Sequence, residues 1–221
     1  MNTDLIHALI LAGSFLALFG LAEILYHLLK VQAEYTRKLV HIGTGLLTLL
    51  FPLLLSSHWW VLALCSSFAL ILILSMRFSL LKSINAIDRE SVGSLCYPVS
   101  VYCCFLAFIH YGEIAFFYIP ILILAICDPV AALTGKKWPL GKFTIGKNSK
   151  SLMGTAMFFV SAILVIIGIY LILGGETVSF KGIFELLIIA SVSAFVEALS
   201  GRGYDNLTIP LSVLLCLTAF Q

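Results

Sequence analysis

Again and again along this chain about 20 residues pass with hardly a charge, the length of helix that crosses the hydrocarbon core of a bilayer. Such stretches fall at roughly 5–29, 39–56, 59–76, 94–110, 114–134, 151–173, 182–200 and 206–220, the last short and leucine-rich. Backbone polar groups in lipid must be satisfied within their own segment, so the spans are expected to be helices. The short alternating segments of a membrane barrel are not seen. Composition agrees: 61% of the 221 residues are hydrophobic and 11% charged, against about 25% charged in a globular domain. The expected fold is all-α, a polytopic membrane bundle of about seven or eight transmembrane helices. It forms one transmembrane domain over 1–221, without a soluble domain. The N-terminus lacks the basic region of a cleaved signal peptide and reads as a retained first span. Six cysteines stand in apolar surroundings without C-x-x-C or Cys/His metal spacing, and read as small apolar residues.

Charge then orients the bundle. Of the 13 Lys and Arg residues, all but Lys181 fall in connections on one side. The positive-inside rule places that side in the cytosol and both termini outside. One connection is long, the basic loop 135–150, whose Gly, Pro and Lys content breaks any apolar period. Nothing in the chain suggests a nucleic-acid partner.

Acids share that basic rim: Asp128 closes span five, Glu197 closes span seven, Asp205 and Asn206 open span eight, and Asp88 and Glu90 precede span four. Carboxylates near hydrocarbon are costly and usually face a bundle interior or polar cavity. Oxygen ligands of this kind suit Mg²⁺, which takes a few carboxylates and substrate phosphates. The structural alternatives are a helix break at Asp128-Pro129 and an ion pair between Glu197 and Arg202. In RKLVHIGTG, helical spacing puts Arg37 and His41 one turn apart, with Lys38 three residues before His41. Arg37 and Lys38 also fit snorkelling anchors; His41 fits that role less well. GKFTIGKN nearly spells a P-loop, but Asn148 replaces the Ser or Thr and a membrane span replaces the strand, so a P-loop is rejected. Residues 148–151 are expected to open a helix whose free N–H groups hold an anion, with Gly154 one turn beneath Lys150. A solvated loop touching anionic headgroups is the alternative.

These residues resemble the CTP-dependent polyprenol kinases, the phytol, farnesol and dolichol kinase group, distantly similar to phosphatidate cytidylyltransferases. Four segments within 35–215 carry the resemblance: RKLVH at 37–41; RESVGS at 89–94 with Tyr97-Pro98; Asp128-Pro129-Val130-Ala131-Ala132 through Gly135 to Lys150-Ser151 and Gly154; and Glu197-Ala198-Leu199 before Asp205-Asn206. Two departures stand out, Pro129 where a Gly-Asp-Ala-type turn is expected and a longer lysine-rich loop. The resemblance implies transfer of the γ-phosphate of CTP to a lipid or isoprenoid alcohol at the cytosolic face. Charge neutralisation then assigns Arg37, Lys38, Lys147 and Lys150 to the nucleotide phosphates, with Glu90, Ser151 and Asn206 as polar partners. Asp128 and Asp205 are the leading Mg²⁺ ligands, Glu197 is a third ligand or the base, and His41 is the other candidate base. A cytidylyltransferase making CDP-diacylglycerol, a diacylglycerol kinase and a lipid transporter are the rival readings.

Overall fold

The computed structural model describes residues 3–78, 80–85, 92–145, 148–173 and 180–221. Seven helical segments there are long and apolar enough to span a bilayer: Thr3–His27, Ala33–Leu54, His58–Arg77, Gly93–Tyr111, Ala115–Lys137, Leu152–Ile172 and Lys181–Leu199. The eighth expected span is the helix Asp205–Ala219 of 15 residues, about 22 Å long and short of a core about 30 Å thick. The chain is thus an all-α polytopic membrane bundle, and its exposed side chains in the spans include many Leu, Ile and Phe that suit a lipid-facing surface.

The elements are α1 (Thr3–His27), α2 (Ala33–Thr48), the single turn α3 (Phe51–Leu54), α4 (His58–Arg77), the single turn α5 (Lys82–Asn85), α6 (Gly93–Tyr111), α7 (Ala115–Leu122), α8 (Asp128–Lys137), α9 (Leu152–Ile172), α10 (Phe180–Leu199) and α11 (Asp205–Ala219). α7 passes into α8 without a break, through a π-helical step at Ile123–Cys127. Pro129 explains this step: it has no N–H to give the preceding turn, and the expected interruption at Asp128-Pro129 becomes a widened turn inside a continuous helix. This is the central helix, with Ile119, Ile121, Ile123, Leu124, Ala125 and Cys127 fully buried. One apolar cluster packs α1, α2, α4 and α6 against its first half. A second packs α9, α10 and α11 around its second half, and Tyr97 and Tyr118 touch both.

The loop 135–150 is more ordered than its composition suggests. α8 runs on to Lys137, and two short strands follow, β1 (Lys142–Ile145) and β2 (Asn148–Ser151), paired antiparallel with Lys142 opposite Ser151 and Phe143 opposite Lys150. Residues 148–151 are therefore strand, not the opening turn of a helix, and Gly154 does not lie one helical turn beneath Lys150.

Glu23 lies near the basic end of α1. It accepts from the backbone N–H of Ser83 at 2.9 Å and pairs with His27 at 3.1 Å, while the Thr36 hydroxyl donates to the Ser83 carbonyl at 2.6 Å. α5 is thereby fixed to α1 and α2.

Candidate active site

One face of α2 builds the first wall. Lys38, His41 and Gly45 follow at helical spacing, and each meets the π-helical step or the residue after it. The Lys38 ammonium donates to the Asp128 carboxylate at 2.7 Å. His41 Nε2 donates to the Leu124 carbonyl at 3.1 Å and lies 3.9 Å from Asp128. In π register the donor owed to Leu124 O is five residues on, at Pro129, which has none; the imidazole supplies it. A carbonyl only accepts, so Nε2 carries the proton and Nδ1 is the nitrogen left for base chemistry. Gly45 allows the approach, because a Cβ there would collide with that of Ala125.

The second wall comes from the other half of the bundle. Lys150, on β2, forms an ion pair with Glu197 near the end of α10 and donates to the Glu197 carbonyl at 2.9 Å. Glu197 thus pairs with Lys150 and not with Arg202. Its Oε2 is buried without a partner. Ser151 caps α9, accepting from Gly154 N–H at 3.1 Å, while the N–H groups of Leu152 and Met153 donate to Gly141 and Leu140 carbonyls. The first N–H groups of α9 are therefore already used and are not left for an anion. Asp205 opens α11, where a carboxylate faces the positive helix end. Asn206 donates to the Gly93 carbonyl at 2.9 Å, and Val92 N–H to the Arg202 carbonyl at 2.9 Å, stitching this loop to α6. A Cβ at Gly93 would sit 2.8 Å from the Asn206 amide, so the stitch requires glycine.

Between the walls lies a cavity of about 910 Å³. It brings together Arg37, Lys38, His41, Asp128, Lys150, Ser151, Glu197, Asp205 and Asn206. Glu90 and Lys147 lie outside the described residues. Arg37 also sits 3.4 Å from Glu34, with its Nε buried and unpartnered. Lys136, Lys142, Arg202 and Thr155 line the same space, although the sequence assigned none of the four to the site. Lys136 is reached because α8 continues past Gly135, and Lys142 because β1 returns beside β2. Among the described residues, Lys136, Lys142 and Arg202 have no carboxylate within salt-bridge distance. Phe19, Val40, Leu72 and Ile84 form an apolar part of the wall.

No group of three or more His, Cys, Asp or Glu among the described residues is arranged to hold a metal by itself. The donor set fits a cation that arrives with phosphates: Asp128 and Asp205 face one cavity and act on each other electrostatically, and Glu197 Oε2 is an orphaned buried oxygen. Mg²⁺ commonly binds through one or two carboxylates plus phosphate oxygens.

A helical membrane bundle with a cationic and acidic cavity at one end defines the broad class, an integral membrane protein with a charged cavity within its bundle. No protein-family model and no solved structure matches the chain. Curated relatives do. It is 36% identical over 191 residues to the phytol kinase of Synechocystis sp., covering 86% of this chain and 81% of that one. It is 31% identical over 204 residues to a probable chloroplastic phytol kinase of Glycine max, covering 82% and 61% respectively. An uncharacterized protein of Rickettsia prowazekii is 42% identical over 102 residues, 45% of this chain and 46% of that one. The chain belongs to the phytol kinase family of polyprenol kinases.

Proposed function

We propose that the protein is a membrane lipid kinase that transfers the γ-phosphate of CTP to an isoprenoid alcohol of the phytol, farnesol or dolichol type at the cytosolic face. The observation that carries this reading is the cavity of about 910 Å³ at the basic end, in which cations with no carboxylate partner among the described residues, buried carboxylates and an apolar wall meet. A triphosphate needs the first two and a lipid alcohol the third. The relatives named phytol kinase support the acceptor class; the donor CTP rests on the motif resemblance.

In this reading Arg37, Lys136, Lys142 and Arg202 gather the phosphates, while Lys38 and Lys150 hold Asp128 and Glu197 in place. Asp128 and Asp205 would hold Mg²⁺. Held there, the ion would supply positive charge to offset the charge that develops as the bond from the γ-phosphorus to the β-bridging oxygen breaks. Glu197 takes the proton of the acceptor hydroxyl through Oε2, because its other oxygen is held by Lys150. His41 holds α2 against the central helix through Leu124.

Purified protein supplied with labelled CTP or ATP and with phytol, farnesol, a longer polyprenol or diacylglycerol tests this. The expected products are an isoprenoid monophosphate and CDP. Pyrophosphate release would instead indicate a cytidylyltransferase, and absence of lipid phosphate from every alcohol would reject the kinase reading.

A further inference from the structure

Four side-chain polar atoms are buried without a hydrogen-bond partner among the described residues: Arg37 Nε, Ser83 Oγ, Thr155 Oγ1 and Glu197 Oε2. Three of these belong to residues that line the cavity of about 910 Å³; Ser83 does not. Arg37 fits the phosphate side. The other two require a different explanation.

Thr155 is unusual among the helical hydroxyls. Thr134, Ser161, Ser193 and Thr208 each donate to the carbonyl four residues earlier, as hydroxyls in membrane helices do. The carbonyl four residues before Thr155 belongs to Ser151, yet the Thr155 hydroxyl makes no such bond. It stands in the first turn of α9, which packs beside α10, and Glu197 stands in the last turn of α10. β2 leads into that first turn and sends Lys150 to Glu197. Thr155 and Glu197 both line the cavity, and the packing of α9 on α10 together with the Lys150 bridge brings their two helix ends side by side.

We propose that Thr155 and Glu197 together cradle the hydroxyl of the lipid acceptor, an inference that rests on the kinase reading. A carboxylate oxygen accepts only, whereas a threonine hydroxyl also donates. An alcohol O–H satisfies both: it donates to Glu197 Oε2 and accepts from Thr155. A phosphate oxygen does not, because it has no proton for the carboxylate and is repelled by it. In transfer, the acceptor oxygen bonds to the γ-phosphorus and its proton passes to Glu197 Oε2. The bond from the γ-phosphorus to the β-bridging oxygen breaks, and CDP leaves. Thr155 fixes the direction of the oxygen lone pair, a binding role that sequence spacing does not express.

The test uses the full-length protein in lipid nanodiscs and two variants. Thr155→Val keeps the shape and removes the hydroxyl; Thr155→Ser keeps the hydroxyl. Loss of one hydrogen bond to the acceptor is expected to raise the KM for the alcohol about tenfold in Thr155→Val, with restoration in Thr155→Ser. The nucleotide KM and the Mg²⁺ concentration for half-maximal rate should stay unchanged in both. An unchanged alcohol KM in Thr155→Val beside an active wild type overturns this inference and leaves the kinase reading intact. A shift in the Mg²⁺ requirement also overturns it, since Thr155 and Glu197 would then be holding the cation. Failure of the wild type to phosphorylate any alcohol overturns both.

Discussion

At the scale of single residues, the Lys38–Asp128 pair shows how charge is kept at the membrane edge. Both side chains are largely buried, 8% and 14% exposed, and joined at 2.7 Å. Removing one partner of such a pair leaves an uncompensated buried charge. Lys38→Met is therefore expected to cost about 3 kcal/mol of stability, measurable as a lower Tm in detergent, and adding Asp128→Leu should recover most of it. Equal melting of the single and double variants would show that the pair does not act as a unit. The double variant should still lack phosphoryl transfer, because Asp128 is the proposed metal ligand. Both residues stood out in the sequence because charges are rare in spans, but their partnership did not. They lie 90 positions apart, and no local period expresses a contact at that separation. Glu197 was legible for the same reason, while its partner Lys150 was assigned to phosphate. Thr155 gave no signal, since one hydroxyl in an apolar helix is ordinary.

At the scale of elements, the seam between α2 and the central helix is set by one missing methyl group. A Cβ at Gly45 collides with that of Ala125, and overpacking of this kind typically costs about 1–3 kcal/mol. Gly45→Ala should lower Tm, and Ala125→Gly in the same chain should raise it again. If the second change only lowers Tm further, the seam is not the source of the effect. The spans themselves were readable because hydrocarbon thickness fixes their length and composition. The segment 135–150 was readable only as a break. Strands of four residues such as β1 and β2 are too short to carry a period, and Lys, Ser and Asn in β2 resemble a helix opening as much as a strand edge. The π-helical step was foreshadowed only by Pro129.

At the scale of the whole molecule, all the cavity's charged groups sit at the end where the basic connections gather. The positive-inside rule expects that end to be cytosolic, and the proposed function places it there. In a cysteine-free background, Lys137→Cys should react with a membrane-impermeant maleimide only from the cytosolic side of sealed vesicles, and Glu113→Cys only from the opposite side. The reverse pattern would remove the cytosolic nucleotide from the proposal. The bundle's class was legible because membrane solvation leaves few architectures. The meeting of the two halves across the central helix was not, because it depends on which spans are neighbours. The widened turn at Ile123–Cys127 has a consequence for divergence within the family. Deleting one residue from that turn would leave the span as apolar as before. It would, however, rotate everything downstream by about 100° relative to α7, carrying Asp128 away from Lys38. Two chains with matching hydropathy profiles can therefore differ in whether they own this carboxylate at all, and the residue count between Pro120 and Asp128 distinguishes them.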